Sequence, residues 1–464
     1  MSFLRRAYDA VPTPLQGLAV GMVGRWNYPK KFGPAFRSAT NRIQENETRS
    51  AEEMGQVAAT ELRRLLRYAC EEIPFYRALS PGAEDLSSWP ILEKSRIQEQ
   101  PLQFLPGGRV DPRFLRLQSS GTTGAPLTVY CSAEAYQTEM AFRWRHKAWA
   151  GLSFGARGAY VAGHAVVSPG RRKPPFWVHD PAENRLLLSS YHISDETAPS
   201  YLRALETFAP EFLHGYPSSL HLLALAAARH GAAIRPRAVF TASETLLVAQ
   251  REAIRRGFGA RVFNWYGQTE LTCNIVECEH GRLHARTDYG FLEVLEDGSM
   301  VCTGLNNLAM PLIRYRTGDR VRRGGGACSC GRPFPVVEEI QGRVEDYVVT
   351  PEGYLVGRLD HLFKGVVGVR EAQVVQRERS TLVLRIVRED AYSERSEEHI
   401  REEARKRVGP LMRVVFEYPA RIERGAGGKF RFVVSECSPE RDADSGDLLA
   451  PAVHAMSRAT TEVP

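Results

Sequence analysis

The chain has 464 residues, 43% hydrophobic and 25% charged, with a formal net charge of +7, which fits a soluble globular protein of two or three domains around a large core. No block of five or more like charges appears, which argues against a dedicated nucleic-acid arm, and an anionic small-molecule substrate is enough to account for the basic bias. Eight cysteines are too few for a disulfide scaffold, and no apolar run reaches membrane-spanning length.

In chain order, the N-terminus carries Arg5 and Arg6 and then the apolar stretch 15–23. Pro12 and Pro14 precede that stretch and charge follows it, so it reads poorly as a cleaved signal peptide and leaves room for a shallow membrane-surface contact. Residues 50–75 form the clearest helix: Met54, Val57, Ala58, Leu62, Leu65, Leu66, Ala69 and Ile73 follow a three-and-four spacing, and Pro74 stops it. Short strands then alternate with helices. Strands are expected at 158–162, 211–214, 238–241 and 261–264, and helices at 220–230 and 248–256. That alternation is an α/β signature with mixed, largely parallel sheets. From Phe291 the texture turns to hairpins, with Asp297-Gly298 as a turn signal. A boundary is expected near Gly342-Arg343. Beyond it a hairpin at 351–353, strands at 371–376, 381–387 and 414–418 and a charged helix at 393–407 make a compact α+β unit. Residues after about 437 read as a loose tail.

Five motifs carry chemistry. Ser119-Ser120-Gly121-Thr122-Thr123-Gly124 lies between two strand-like runs. Its glycines let the backbone approach a ligand, and its amides and hydroxyls suit polyphosphate oxygens. No Gly-Lys-Ser/Thr follows, so the cation must come from elsewhere. Tyr266-Gly267-Gln268-Thr269-Glu270 follows a strand, where ligands of parallel α/β sheets bind, and its hydroxyl and carboxylate suit Mg²⁺ and phosphate. Asp319, in a turn after a strand, can accept from ribose hydroxyls. Gly342-Arg343-Val344-Glu345-Asp346 suits a hinge, and Lys429 follows three glycines in a run that a moving domain can use to deliver a cation. The density of hydroxyls favours a phosphate cradle at 119–124 over an ordinary polar turn; taken singly, the other four motifs also read as ordinary turns, loops or linkers.

In this order and spacing, over residues 119–429, the set resembles the adenylate-forming superfamily of acyl-CoA ligases, luciferases and peptide-synthetase adenylation domains. Residues 65–68, 73–77, 189–192 and 214–219 are most similar to its phenylacetate–CoA ligase and CapK-like branch. The resemblance implies a large adenylate-forming domain and a small mobile C-terminal domain. The expected division is a helical lead-in (1–110), an ATP- and acid-binding core with a zinc clip (111–342), an α+β domain (343–436) and a tail (437–464). It implies an AMP-forming acid ligase that converts a small-molecule carboxylic acid and ATP to an acyl-adenylate with release of pyrophosphate, and then makes a thioester with CoA. The alternatives are transfer of the acyl group to a sugar hydroxyl or amine, or a non-catalytic scaffold; intact Glu270, Asp319 and Lys429 speak against the scaffold. Residue by residue, Ser119 to Gly124 would hold the phosphates and Ser243 and Glu244 would border adenine. Tyr266 would stack near the adenine, with Gly267 and Gln268 beside it. Thr269 and Glu270 would contact the α-phosphate and Mg²⁺, Asp319 and Arg343 the ribose, and Lys429 would bridge carboxylate and α-phosphate. Glu345 stands where the family usually has a hinge aspartate. His164, His214 and Tyr216 are candidates for the acid pocket, with a packed, hydrogen-bonded histidine as the plainer alternative for His164.

Cys278-Glu279-His280 and Cys328-Ser329-Cys330 offer four nitrogen and sulfur donors, which suits structural Zn²⁺; Cys273 and His284 are rival ligands. Relatives with a similar Cys-rich pair of turns strengthen that expectation. The Cys-x-Cys pair also points to a reducing compartment, hence the cytoplasm. Partners are expected to be the acid, ATP and CoA, with no nucleic acid and no transmembrane segment; a homodimer is compatible with the chain.

Overall fold

The computed structural model describes residues 13–79, 85–119, 127–162, 166–167, 171–343, 347–351, 355–356, 359–363, 366–425 and 430–437. The chain divides after Ile340, one unit running Met1–Ile340 and the other comprising Gln341–Arg424 and the chain from Phe430.

The first unit opens with three helices, α1 (Thr13–Lys31), α2 (Pro34–Asn46) and α3 (Ala51–Glu72). Ser50 starts α3 with a capping box: its hydroxyl accepts from the Glu53 N–H, and the Glu53 carboxylate accepts from the Ser50 N–H. Met54, Ala58, Leu65, Leu66 and Ala69 of α3 are buried, on the three-and-four stripe the sequence shows. Strands β1 (Leu115–Gln118) and β2 (Thr128–Cys131) form an antiparallel hairpin. Helix α4 (Ala133–Trp149) follows it.

The main sheet has twelve strands in the order β11-β12-β13-β14-β10-β9-β8-β7-β6-β3-β5-β4. Its parallel part holds β5 (Arg185–Ser189), β3 (Gly158–Ala162), β6 (Phe212–Gly215), β7 (Ala238–Ala242) and β8 (Arg261–Gly267). Strand β4 (Trp177–Asp180) adds an antiparallel edge. Helices α5 (Ala198–Phe208), α6 (Pro217–His230) and α7 (Val248–Phe258) cross between the strands and pack a core of Leu202, Leu205, Leu220, Leu223, Ile254 and Phe258 against β3, β6 and β7. Burial of both faces is why these strands read as continuous apolar runs.

The other flank is antiparallel: β9 (Asn274–Glu277), β10 (Leu283–Ala285), β11 (Gly290–Val294), β12 (Ser299–Gly304), β13 (Tyr315–Arg323) and β14 (Val336–Arg343). Asp297-Gly298 forms the β11–β12 turn, where Gly298 takes φ 84°.

In the second unit β15 (Val348–Val349) pairs with β16 (Leu355–Val356), and a separate sheet has the order β19-β18-β17-β20. Its strands are β17 (Val369–Glu378), β18 (Thr381–Arg388), β19 (Arg413–Glu417) and β20 (Val433–Ser435). Helix α8 (Glu394–Val408) buries Ile400, Ala404 and Val408 in one cluster with Leu382, Leu384 and Ile386.

Candidate active site and metal cluster

The parallel strands β3, β6, β7 and β8 end on one edge of the sheet, with Gly215 paired to both Val161 and Thr241, and Ala242 to Trp265. Gly215 has no alternative here, because a Cβ would stand 2.2 Å from the Val161 carbonyl oxygen. After it, Tyr216 turns the chain into α6, its N–H donating to the Val161 carbonyl at 3.0 Å. Tyr216 is buried, and the neighbouring His214 ring lies 5.3 Å from that of Tyr160. Beyond β7, Ser243 adopts φ 71°, and the Glu244 carboxylate accepts from the Ser218 N–H at 3.1 Å. Glu244 therefore sits at the positive end of α6, where a carboxylate is favoured.

Beyond β8 the polar groups form a chain. The Tyr266 hydroxyl donates to Asp319 Oδ2 at 2.6 Å, and Gln268 Nε2 donates to the same hydroxyl. Thr272 in turn donates to Gln268 Oε1 at 2.6 Å, while Asn274 Nδ2 reaches the Tyr266 carbonyl at 2.9 Å. Asp319 lies within β13 and not in the turn expected from the sequence; its N–H donates to Thr317 Oγ1 at 3.0 Å, in an irregular stretch of the strand where Gly318 takes φ 80°. Burial, and after it the Asp319 charge, push the Tyr266 phenol well above its usual value, so it stays a donor. The Tyr-Gly-Gln-Thr-Glu and Asp319 motifs, 53 residues apart, thus meet through one short hydrogen bond. Glu270 Oε1 accepts from the buried Tyr315 hydroxyl at 3.4 Å, which ties the second carboxylate to β13. Gly267 is again constrained, since a Cβ would stand 2.6 Å from Trp265 Nε1. Thr269 lies between Gln268 and Glu270 in the same turn.

Ser119 closes the β1–β2 hairpin: its N–H donates to the Leu127 carbonyl at 2.9 Å, and its hydroxyl accepts from the Leu127 N–H at 2.8 Å. The ends of the hydroxyl-rich loop are thereby held together. The rest of that loop (Ser120, Gly121, Thr122, Thr123 and Gly124), together with His164, Glu345 and Lys429, lies outside the described residues. Arg343 ends β14 and belongs to the second unit.

A different corner of the first unit holds a compact donor set. Ligand atoms of Cys278, His284, Cys328 and Cys330 all lie within 4.8 Å of one another. Cys278 Sγ is 3.7 Å from Cys328 Sγ, and Cys330 Sγ is 3.4 Å from His284 Nε2. This corrects the expected ligand set: His284 takes the place given to His280. Only the backbone N–H of His280 takes part, donating to Cys278 Sγ at 3.4 Å. The reason is strand alternation. His284 pairs directly with Val276, and Cys278, two residues on from Val276, shares its face. His280 sits in the turn between the strands. Cys273 is not in the set; it packs with Cys302 and Ile275 on the sheet.

The surroundings favour a metal. His284 Nδ1 is 3.0 Å from the Phe334 carbonyl oxygen, so Nδ1 carries the proton and the Nε2 lone pair faces the thiols. Burial pushes the imidazole down, with Arg332, Arg286 and Arg282 acting the same way against the single bond to Phe334. Two turns close the set, Gly281 N–H to the Cys278 carbonyl at 2.9 Å and Gly331 N–H to the Cys328 carbonyl at 3.1 Å. Arg332 clamps them through Glu279 Oε2 at 2.7 Å while stacking over Trp149 at 3.9 Å. Three sulfurs and one imidazole nitrogen are donor types found together in structural Zn²⁺ sites.

Sequence reasoning missed Tyr315, Gln268 as a relay, Thr272 and the Phe334 carbonyl. Period-two alternation along β9 and β10 would have selected His284. Nothing in the sequence marks Phe334, because its contribution is a backbone oxygen.

The CapK C-terminal domain family matches residues 348–436. Protein CapK of Staphylococcus aureus is 26% identical over 341 residues, covering 70% of this chain and 74% of that protein. The phenylacetate-coenzyme A ligase of Thermus thermophilus is 26% identical over 443 residues, covering 84% of this chain and 98% of that protein. Among solved structures, a 2-hydroxyisobutyryl-CoA ligase in the postadenylation state, bound to an acyl-AMP, aligns with TM-score 0.64 at 19% identity, covering 85% of this chain and 92% of that one. At that identity the likeness carries the fold.

Proposed function

We propose, for a chain that belongs to the adenylate-forming superfamily in its phenylacetate–CoA ligase and CapK-like branch, that it is an AMP-forming acid ligase. The observation that carries this reading is the 2.6 Å bond between Tyr266 and Asp319, which joins the two nucleotide motifs at the strand ends.

The substrate carboxylate oxygen attacks the α-phosphorus of ATP, the bond to the bridging oxygen breaks, and pyrophosphate leaves with its electron pair. The thiol sulfur of CoA then attacks the acyl carbon, and AMP leaves. Two anions must approach in the first step, so positioning and charge neutralisation carry most of the catalysis. In this reading Asp319, oriented by the Tyr266 hydroxyl, accepts from the ribose, and Arg343 is also assigned to the ribose. Tyr266 borders the adenine with Ser243 and Glu244, Gly267 and Gln268 support it, and Ser119 closes the phosphate loop of residues 120–124. Lys429 bridges the carboxylate and the α-phosphate, and Glu345 serves the hinge. Glu270 and Thr269 offer the hard oxygen donors that Mg²⁺ prefers, and the ion would offset phosphoryl charge there. His164, His214 and Tyr216 border the acid, an aromatic one by analogy with phenylacetate. The match of residues 348–436 to the CapK C-terminal domain favours a second reading, in which a sugar hydroxyl or amine takes the acyl group in place of CoA.

Zn²⁺ bound by Cys278, His284, Cys328 and Cys330 would be structural, pinning the turn after β9 to the loop before β14. Metal analysis of purified protein should find one equivalent; less than about half an equivalent counts against the site.

The activity test is ATP–pyrophosphate exchange with a panel of carboxylic acids, followed by product analysis with and without CoA. Lys429→Ala should retain ATP binding and lose exchange by two to three orders of magnitude, about 3–4 kcal/mol of barrier. Exchange at the wild-type rate in that variant would remove the lysine assignment, and an adenylate consumed without CoA would select the second reading.

A further inference from the structure

Helix α1 has two unlike faces. Its inner face is cut to lie on the sheet edge. A Cβ on Gly24 would stand 2.5 Å from Asp180 Oδ1, and one on Gly21 would stand 3.3 Å from the Pro181 ring. Val20 packs on the cluster of Val166, Val167, Val178 and Leu187. At the C-terminal end Lys31 Nζ meets Glu183 Oε1 at 2.5 Å, and the Tyr28 ring lies 4.8 Å from Phe32. The helix is therefore docked through residues 20, 21, 24, 28 and 31, and cannot roll its other face inward.

That outer face carries Trp26, Met22 and Val23, exposed to 75%, 70% and 59% respectively. They rank among the most exposed large apolar side chains of the described residues. Arg25, Pro29 and Lys30 share the exposed side, and the Lys30 ammonium lies 5.6 Å over the Trp26 ring. The helix contains no acidic residue. Over residues 1–31, five cations, including Arg5 and Arg6, face a single Asp9.

We infer that α1 lies in the interface of an anionic phospholipid bilayer, with Met22, Val23 and Trp26 below the headgroups and Arg25 and Lys30 among the phosphates. Tryptophan is the side chain best suited to that level, and Arg and Lys stems reach back to the headgroups. No helix among the described residues is long and apolar enough to cross a membrane, so α1 lies on the surface. A second copy meeting the same face across a two-fold axis would set Arg25 and Lys30 against their own like charges. An anionic surface meets them with the opposite sign. Such attachment is independent of the ligase chemistry.

The test is flotation of the full chain with phosphatidylcholine vesicles, with and without phosphatidylglycerol. The wild type should float with the anionic vesicles alone, and flotation should fade with added salt. Arg25→Glu with Lys30→Glu should weaken partitioning by roughly fivefold or more for each basic residue lost. Met22→Ser, Val23→Ser and Trp26→Ser together should abolish flotation with an unchanged melting temperature, since all three side chains face water. The inference fails if the wild type stays in solution with anionic vesicles, or if the triple variant floats as the wild type does. It fails equally if sedimentation shows a wild-type dimer that the triple variant turns into a monomer, because the face would then join two copies of the chain.

Discussion

The two polar constellations of the first unit are built on opposite plans. Around the end of β8, Tyr266, Gln268 and Asp319 are linked to one another by side-chain hydrogen bonds, and Glu270 is held separately by the Tyr315 hydroxyl. In the Cys278, His284, Cys328 and Cys330 corner, the four donor atoms lie within 4.8 Å of one another, the Phe334 carbonyl backs His284, and Arg332 ties the neighbouring Glu279 down. The first plan suits a site whose occupant comes and goes. The second suits an occupant that stays. Substitutions should therefore act on turnover and nucleotide affinity in the first region and on stability in the second.

The largest effect that sharpens this contrast is expected at His284. His284→Ala removes one of four ligands and leaves three thiols around the gap. Zinc content should fall below half an equivalent, and thermal unfolding should move down by about 4 kcal/mol or more, the linkage lost when a ligand far above its dissociation constant is released. His280→Ala, at the hairpin turn, should keep the metal. Metal analysis and calorimetry on the pair decide it; equal metal loss in both variants would break the geometric assignment.

A second, smaller effect comes from His146, which belongs to neither plan. It is buried among Trp149, Phe240 and Trp265, with Nε2 2.9 Å from the Glu277 carbonyl oxygen. Burial lowers its pKa to about 3, from the 6.5 usual for an imidazole. The folded state thus holds a neutral ring while the unfolded chain binds a proton below about pH 6.5. This contribution is complete above pH 6.5 and is lost as pH falls towards 3, at up to about 1.4 kcal/mol per pH unit. Near pH 5 the loss is roughly 2 kcal/mol. His146→Gln, which keeps a donor for Glu277, should flatten the difference between pH 7 and pH 5 in denaturant unfolding; an unchanged slope would show that His146 titrates normally.

How far the fold was legible follows the same division. The strands β3, β6, β7 and β8 stood out as short, mostly apolar runs, β7 being buried along its whole length. Helix α3 stood out through its stripe and its Pro74 stop. Helix α1 did not: Gly17, Gly21 and Gly24 depress its propensity, and Gly21 and Gly24 make sense only beside Pro181 and Asp180, far along the chain. Likewise, the motif residues Tyr266 and Asp319 could be named singly, but their bond depends on β8 and β13 belonging to one sheet. The metal set was legible as cysteines and misread as to histidine, because sequence spacing favoured the turn residue over the one that alternation returns to the same face.

The smallest predicted effect tests the nucleotide side of the comparison. Tyr266→Phe keeps the ring and removes the hydroxyl, so Asp319 Oδ2 loses a donor and Gln268 Nε2 loses an acceptor. A hydrogen bond to a charged partner is worth about 1.5–3 kcal/mol, and the lower end applies because water can enter a site open to a ligand. If the hydroxyl serves only to orient Asp319 towards ribose, the loss falls on binding: KM for ATP should rise roughly tenfold with kcat changed far less, the pattern of an interaction made equally in ground and transition states. The melting temperature should barely move if a metal at the cysteine corner, and not this chain of side chains, holds the antiparallel flank. A fall in kcat with KM unchanged would instead put the Tyr266 hydroxyl in the transition state. A fall in stability matching that of His284→Ala would erase the distinction between the two regions.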